Sequence, residues 1–330
     1  MRAMPEGFDE RDLFDALRDG WGLNAVGAVY MPVGGGSYHW RVDDGAGVHY
    51  WVTVDDLDHK GFLGDARHVA FEGLCRALDT ACALRAGGLE FVVAPIPAPG
   101  GGSVWRLGDR HAVAVFPFVR ASAGRFGEYR SVGERAAVVD VLVRLHRVPP
   151  AVARVARPEV PHRAGLEHAL SDLDRPWSSG PYAERARVRL ANYAADIRRL
   201  LNRFDRLAGQ VLATGAALVP THGEPHPGNV VFADGRVLLV DWDTVALALP
   251  ERDLWMLDTS DERARYTQGS GRPVDDAAIH LYRLRWLLDD IATAVHWLRS
   301  PHGENADTAH VWSSFAGSFE SGGVWPYARL

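Results

Sequence analysis

A segment in the second half of the 330-residue chain constrains the fold most strongly. Two loops dense in polar groups, HGEPHPGN and DWDT, flank two apolar runs that are separated by an Asp-Gly turn. This pattern predicts a hairpin, and a hairpin brings the loops at its open end together. Six polar side chains therefore converge at one end of a small sheet, a density that is typical of a reaction centre. They are His222, Glu224, His226, Asn229, Asp241 and Asp243.

The residue types in these loops favour phosphoryl transfer assisted by a divalent metal ion. A hard cation such as Mg²⁺ takes oxygen ligands, and the Asn229 amide oxygen with the Asp241 carboxylate would form an open, partly hydrated site. Asp243 is either a second ligand or an acceptor that stabilises the loop. Glu224 could orient or deprotonate a hydroxyl beside the metal. His222 either supports the loop backbone or takes part in acid–base chemistry.

The first third of the chain predicts an antiparallel sheet with one main helix packed on it. Short β-rich runs are separated by GGGS and DDGAG, as in an antiparallel meander. Residues 9–18 and 65–84 carry apolar side chains at helical spacing, and Gly20 is the expected stop of the first helix. The predicted strands are 28–32, 38–42, 48–54, 91–94 and 112–116.

The remainder of the chain is predicted to be mainly helical. Helical spacing extends over 132–146 and over a long arginine-rich stretch, 183–210. Residues 118–124 (FVRASAG) would form a hinge between the two parts. We therefore expect an α+β chain with an N-terminal domain over 1–118 and a larger, mainly helical domain over 119–330.

The run HGEPHPGN, followed by LLVDWD and PERDL, resembles the catalytic and metal-binding loops of the aminoglycoside phosphotransferase family. The DWD and PERDL elements are most similar to the spectinomycin phosphotransferase branch. The resemblance implies a bilobal protein-kinase-like fold and an enzyme that uses Mg²⁺ with ATP or GTP. On the family pattern, His222, Gly223, Glu224 and Asn229 form the catalytic loop, and Asp241 holds the metal.

The same resemblance, carried by weaker motifs, implies a nucleotide site in the N-terminal lobe. The glycine-rich turn would cover the phosphates, and the segment 116–119 would accept the base. The residues assigned in this way are Gly34, Gly35, Gly36, Ser37, Phe116 and Phe118.

Two departures from the family pattern concern the catalytic carboxylate and the phosphate-binding lysine. The loop aspartate of the family is Glu224 here, and Thr53 occupies the strand position of the lysine. The chain has 36 basic residues, and Lys60 is the only lysine among them. Arg41, Lys60 or neither replaces the missing charge. Glu72, on the following helix, is either the natural ion-pair partner of the replacement or a solvated helix charge.

The acceptor site is specified less closely by the sequence. Asp289 and Asp290 are adjacent on a predicted helix, so their side chains point about 100° apart. One of them could face the substrate cleft and attract a cationic antibiotic, and a solvated helix face is the equal alternative.

Composition excludes several classes of partner. A net charge of −6 argues against nucleic acid as a partner. The apolar runs are shorter than the roughly 18 residues needed to span a bilayer, and the N-terminus lacks a signal-peptide pattern. We expect a cytoplasmic protein, a monomer or weak dimer, that binds a nucleoside triphosphate and a small-molecule acceptor.

The leading hypothesis is an antibiotic kinase that confers resistance by phosphorylating a hydroxyl of an aminoglycoside-like or aminocyclitol-like compound. A kinase for a nucleoside antibiotic or a metabolite carries the same loops, because acceptor pockets are idiosyncratic. The absent strand lysine and the Glu224 exchange also permit a third hypothesis, a kinase-shaped protein that binds its ligand with weak or no turnover.

Overall fold

The described chain forms two compact units in a computed structural model. The structure describes residues 1–5, 7–121, 124, 131–149 and 154–320. The first unit comprises Met1–Ala156 and Leu218–Val274, and the second comprises Arg157–Ala217 and Asp275–Leu330. The domain boundary expected after residue 118 stays a prediction. The expected hinge at 118–124 includes residues 122 and 123, which lie outside the described residues.

A five-stranded antiparallel sheet dominates the N-terminal part of the first unit. Its strands are β1 (Ala25–Tyr30), β2 (Ser37–Asp44), β3 (His49–Asp56), β4 (Trp105–Leu107) and β5 (His111–Pro117). They lie in the order β1-β2-β3-β5-β4. The α+β fold with an N-terminal antiparallel sheet and a helical C-terminal region is thereby confirmed.

The prediction of a strand at 91–94 is wrong. Val92 makes a single parallel bridge to Leu239, and Val93 donates one backbone hydrogen bond to the Leu239 carbonyl at 3.0 Å. Pro95 and Pro97 follow, and proline has no N–H with which to continue a ladder. The edge position beside β5 is taken instead by β4.

Two helices accompany the sheet, α1 (Glu10–Trp21) and α2 (Arg67–Ala86). Helix α1 runs past the stop expected at Gly20. Gly22 takes the left-handed conformation (φ 68°) that ends the helix, and its N–H caps the Arg18 carbonyl. Helix α2 begins two residues later and ends two residues later than the spacing predicted.

Strand alternation gives the sheet one apolar and one polar face along β2 and β3. Trp40 and Val52 are fully buried on the apolar face. Ser37 pairs with Asp55 and His39 pairs with Thr53, so these side chains share the opposite face. This polar face carries the residues that concern the candidate site.

Among the described residues, the rest of the first unit includes two short antiparallel strand pairs and three helices. Strand β6 (Val219–Thr221) pairs with β9 (Ala246–Ala248), and β7 (Val230–Ala233) pairs with β8 (Arg236–Leu239). The hairpin expected from the Asp-Gly turn is β7–β8. The helices are α3 (Val132–His146), α6 (Glu251–Leu254) and α7 (Ser260–Ser270).

The second unit is helical. Its long helices α5 (Ala183–Ala213) and α8 (Asp276–Arg299) pack on each other, and α8 also contacts the two shorter helices. Those are α4 (Arg163–Ser171) and α9 (Ala306–Gly317). Within the described residues, no helix combines the length and the apolarity that a membrane crossing requires.

Candidate active site

The loop between β6 and β7, residues 222–229, is held by a buried carboxylate. Asp253 accepts the backbone N–H of His222 at 2.8 Å and that of Gly223 at 2.7 Å. His146 donates a third hydrogen bond to the same carboxylate at 3.1 Å. Burial opposes ionisation of Asp253, but the hydrogen bond from His146 and the positive charge of nearby Arg252 outweigh it, so the pKa of Asp253 is lowered. Asp253 is therefore an ionised anchor for the start of the loop.

A buried arginine anchors the same loop from the other side. Arg252 donates to the Thr221 hydroxyl at 2.8 Å and to the Thr244 carbonyl at 2.9 Å. The Thr244 hydroxyl in turn donates to the His222 carbonyl at 2.8 Å. Gly223 has a φ of 105°, and a Cβ there would overlap the Arg252 guanidinium. Arg252 and Asp253 thus form a buried polar network around the loop, and this network requires glycine at position 223.

His222 is a buried part of this framework. Its Nε2–H donates to the Val240 carbonyl at 2.8 Å, and its Nδ1 accepts the Glu224 backbone N–H at 3.2 Å. Its ring packs edge-on against Trp242, with the centroids 4.6 Å apart. Burial lowers the pKa of His222 and keeps it neutral. With both ring nitrogens engaged, His222 positions the loop, which favours the structural alternative over acid–base chemistry.

Asn229 closes the loop and presents an oxygen. Its amide nitrogen donates to the Glu224 carbonyl at 3.0 Å, which orients the amide and leaves Oδ1 as the atom suited to a cation. Its backbone carbonyl accepts from Val240 at 3.0 Å. That bond ties the end of the first loop to the start of the second, so Asn229 and Asp241 lie on adjacent segments.

Asp241 lies close to other carboxylates but remains exposed to solvent. Its φ of 65° is left-handed, and its side chain keeps access to solvent. Its pKa is raised well above the usual value, first because neighbouring protein displaces much of its water and second because of the negative charge of Asp243. Glu224 and Asp55 add to this effect, and Lys60 opposes it. A cation at this point would relieve the repulsion.

Lys60 is buried at the centre of this group of carboxylates. Its ammonium lies 2.7 Å from Asp243 Oδ2, 2.9 Å from Asp55 Oδ1 and 3.1 Å from the Ser37 hydroxyl. Only 3% of its surface is exposed. Burial alone would lower the pKa of Lys60, but the charges of Asp243, Asp55 and Asp241 raise it, so the side chain is charged.

Asp243 is engaged by Lys60, which favours its role as a loop-stabilising acceptor. Arg41 lies four residues past Ser37 on β2, pairs across the strands with Trp51, and approaches Asp43 at 3.5 Å. Of the two alternatives for Glu72, the structure favours the solvated helix charge. Glu72 is exposed on α2 and lies 3.7 Å from Arg76, one helical turn away.

The remaining predicted nucleotide-site residues lie along the N-terminal sheet. Gly34 and Gly36 have φ values of 71° and 87° in the turn before β2, a conformation that glycine adopts without strain. Phe116 is buried on β5, directly opposite Trp51, and the Phe118 ring packs edge-on against His49. Gly35 lies in the same turn with open space around it.

Asp289 and Asp290 both lie on α8 in the second unit. Asp289 is paired with Arg285 at 3.2 Å and accepts from the Thr293 hydroxyl at 3.2 Å, while burial raises its pKa. Asp290 is exposed. Their assignment to an acceptor pocket stays a prediction.

The donor set fits a hard divalent cation that keeps most of its ligands from outside the protein. Carboxylate and amide oxygens are what Mg²⁺ prefers, and Mg²⁺ commonly retains water and phosphate ligands beside one or two carboxylates. Among the described residues, no three His, Cys, Asp or Glu side chains form a ready ligand cluster. Asn229 and Asp241 would hold such an ion.

Asp55 is the functional candidate that sequence reasoning missed. The usable signal was strand alternation, which places Asp55 on the same face of β3 as Thr53, two residues along. The sequence pattern instead indicates Glu72, on the following helix. The bond from Lys60 to Asp243 joins residues 183 positions apart, and local periodicity carries no information at that separation.

Comparison with known proteins identifies the family of the chain. Residues 42–294 match the model of the Phosphotransferase enzyme family, and the chain belongs to that family. It is therefore an enzyme of the phosphotransferase class, as the loops predicted. Among curated proteins, it is 29% identical over 303 residues to Protein StrN of Streptomyces griseus, covering 87% of this chain and 84% of that protein.

Solved structures confirm the kinase-like fold. The structure of a spectinomycin phosphotransferase in complex with ADP and spectinomycin aligns with a TM-score of 0.75 at 18% identity, over 98% of this chain and 99% of that one. An amicoumacin kinase in complex with AMP-PNP, Ca²⁺ and its ligand aligns at 0.56 and 12% identity, over 94% and 93%. A choline kinase from Streptococcus pneumoniae aligns at 0.56 and 15% identity, over 97% and 98%.

Proposed function

We propose that this chain transfers the γ-phosphoryl group of ATP or GTP to a hydroxyl of a small antibiotic of the aminoglycoside or aminocyclitol type and so confers resistance. The observation that carries the proposal is the grouping of Glu224, Asn229 and Asp241 on two adjacent loops, the first of which is held at its start by Asp253. Similarity to the spectinomycin phosphotransferase supports the choice of acceptor class.

In this proposal, residues 1–118 form the nucleotide lobe, and residues 119–330 carry the catalytic loops and the acceptor pocket. Mg²⁺, when bound by Asn229 and Asp241, neutralises charge on the phosphate oxygens. The glycine-rich turn covers the phosphates, and the segment from Phe116 to Phe118 receives the base. The protein acts in the cytoplasm as a monomer or weak dimer, without nucleic acid or membrane as a partner.

The transfer step involves the acceptor hydroxyl, the γ-phosphoryl group and the Glu224 carboxylate. The acceptor oxygen attacks the γ-phosphorus, the bond from that phosphorus to the β,γ-bridging oxygen breaks, and the nucleoside diphosphate leaves with that oxygen. The acceptor proton passes to the Glu224 carboxylate. A loose transition state needs little proton transfer at an early stage, so a glutamate can serve where the family pattern has aspartate.

A transfer assay tests the proposal. Purified protein is incubated with γ-labelled ATP or GTP, Mg²⁺ and a panel of aminocyclitols and aminoglycosides, and label on the acceptor is measured. We expect transfer to at least one compound, and Asp241→Asn to reduce it by about 100-fold or more, since an electrostatic contact of the reaction centre is removed. Asp234→Asn, at an exposed turn, is the matched control.

The second candidate function is that of a metabolite kinase, and the structural similarity to a choline kinase supports it. Label on choline, sugars or nucleosides with none on the antibiotics would select it. Nucleotide binding without transfer to any compound would instead identify a ligand-binding protein and overturn the kinase proposal.

A further inference from the structure

Three side chains from separate segments of the first unit surround Lys60 in one buried cluster. Ser37 begins β2 directly after the glycine-rich turn, Asp55 lies near the end of β3, and Asp243 lies in the loop after β8. Lys60 contacts all three, and the Ser37 hydroxyl also donates to Asp55 Oδ1 at 2.6 Å. We call Ser37, Asp55, Lys60 and Asp243 the lysine interlock.

Two of the three contacts of the ammonium are ionic. An ammonium has three N–H donors, and Asp243, Asp55 and Ser37 together account for three acceptors. The contact with Ser37 is the longest and the acceptor is neutral. The Ser37 hydroxyl also donates to Asp55, so it keeps a partner when it loses the ammonium. Of the three acceptors, it is therefore the one that an anion displaces most easily from Lys60.

The interlock lies where phosphates would meet the sheet. Asp55 is on the polar face of β3 beside Thr53, opposite the residue that ends the glycine-rich turn. Arg41 lies four residues further along β2 than Ser37, which is about 13 Å at the rise of an extended strand. Of these two side chains, Lys60 is therefore the one that reaches the residue at the exit of the turn.

We propose that Asp55 is the positioning residue that holds Lys60 for the nucleotide phosphates, and that a phosphate oxygen replaces the Ser37 hydroxyl on the ammonium. The acid thus comes from the strand and the lysine from the turn after it, while α2 contributes neither. The inference rests on the proposed use of a nucleoside triphosphate, and it assigns the phosphate contact within that function.

The same arrangement explains how a buried ammonium can still bind a phosphate. Asp55 and Asp243 compensate the cost of taking Lys60 out of water, and both contacts persist when the neutral hydroxyl is displaced. Because Asp243 belongs to the loop that carries Asp241, the interlock also ties the phosphate-contacting charge to the metal-binding segment.

A selectivity measurement tests the inference without any acceptor. Binding of adenosine, guanosine and their triphosphates is measured by calorimetry with Mg²⁺ for wild type, Lys60→Met, Asp55→Asn, Asp55→Glu and Ser37→Ala. The readout is the affinity of the triphosphate divided by that of its nucleoside, which cancels effects on the base site.

We expect Lys60→Met to lower this ratio about tenfold or more, as for the loss of a charge-assisted hydrogen bond. Asp55→Asn should lower it several-fold, and Asp55→Glu, which restores the charge, should recover part of that loss. Ser37→Ala should raise the ratio, because one ammonium donor is released. Glu72→Gln, an equal charge change on exposed α2, should have no effect.

Unchanged ratios in both Lys60→Met and Asp55→Asn would overturn the inference and make Lys60 a buried structural cation. If Lys60→Met fails to fold and no longer binds nucleoside, the near-isosteric variant Asp55→Asn and the charge-restoring variant Asp55→Glu test the inference instead. A protein with the expected ratios that transfers no phosphoryl group refutes the kinase proposal alone. Transfer with unchanged ratios refutes only the inference about Lys60 and Asp55.

Discussion

Replacing the buried anchor of the catalytic loop, Asp253→Asn, should destabilise the first unit without changing the shape of the side chain. The carboxylate accepts three hydrogen bonds, from His222 N, Gly223 N and His146 Nε2. An asparagine amide group can accept on one side only. If its NH₂ takes the Oδ1 position, it faces the Gly223 N–H, and a buried donor is left unsatisfied at a cost of about 1–3 kcal/mol.

The two bonds that remain lose their charge assistance, at about 1 kcal/mol each. Since such costs do not fully add within one network, we expect a total of about 3 kcal/mol. For a unit of this size, that corresponds to a fall in Tm of roughly 6–12 °C.

Thermal unfolding and hydrogen exchange measure the effect of Asp253→Asn separately. The amides of His222 and Gly223 should exchange faster in the variant, because their acceptor is removed. Asp234→Asn, in an exposed left-handed turn that asparagine tolerates, is the control. A Tm no lower than that of the control, with unchanged exchange at 222 and 223, would show that Asp253 does not anchor the loop.

Three further changes give sharp expectations. Gly223→Ala should lower the unfolding free energy by about 2–4 kcal/mol, because φ is 105° and a Cβ overlaps Arg252; Gly235→Ala, left-handed but in open space, should cost less in the same denaturation assay. His39 has its pKa lowered to about 3 by burial, the N-terminal amine and Lys60, so the unfolded chain takes up the proton first. The unfolding free energy is therefore highest above pH 6.5 and is lower by about 2 kcal/mol at pH 5 because of this residue. His39→Gln should remove that pH-dependent loss, and an unchanged slope of the unfolding free energy against pH would refute the assignment. Thr259→Ala removes the capping box of α7 and should cost about 1 kcal/mol, seen as faster amide exchange in its first turn; unchanged exchange would contradict the capping role.

Much of the fold and of the candidate site could be predicted because the controlling signals are local. The hairpin β7–β8 follows from an Asp-Gly turn between apolar runs, and its two loops meet as expected, with the Val240 N–H donating to the Asn229 carbonyl. The misplaced strand at 91–94 shows the limit of such signals. Its apolar residues suit a strand, but the two prolines that follow remove the donors that a ladder needs.

The residues around the missing strand lysine could not be placed from the sequence, because their contacts are long-range. The chain itself offers two cations, Arg41 on β2 and Lys60 in the turn after β3, and nothing in their spacing chooses between them. The choice depends on Asp243, which lies 183 positions from Lys60. Only the folded chain shows that the buried carboxylates surround Lys60 and leave Arg41 beside Asp43.

The geometry of the lysine interlock also explains why the one lysine among 36 basic residues stands at position 60. Three acceptors converge on a single nitrogen at 2.7–3.1 Å. An ammonium can satisfy them from one point, whereas a guanidinium spreads its donors over a planar fork that suits paired oxygens of one carboxylate or phosphate. In a buried site, the larger arginine would leave donors unpaired at a cost of about 1–3 kcal/mol each. An arginine-rich chain can use arginine at the surface, but this pocket requires a point charge, and that requirement ties the composition of the chain to the chemistry proposed for its nucleotide site.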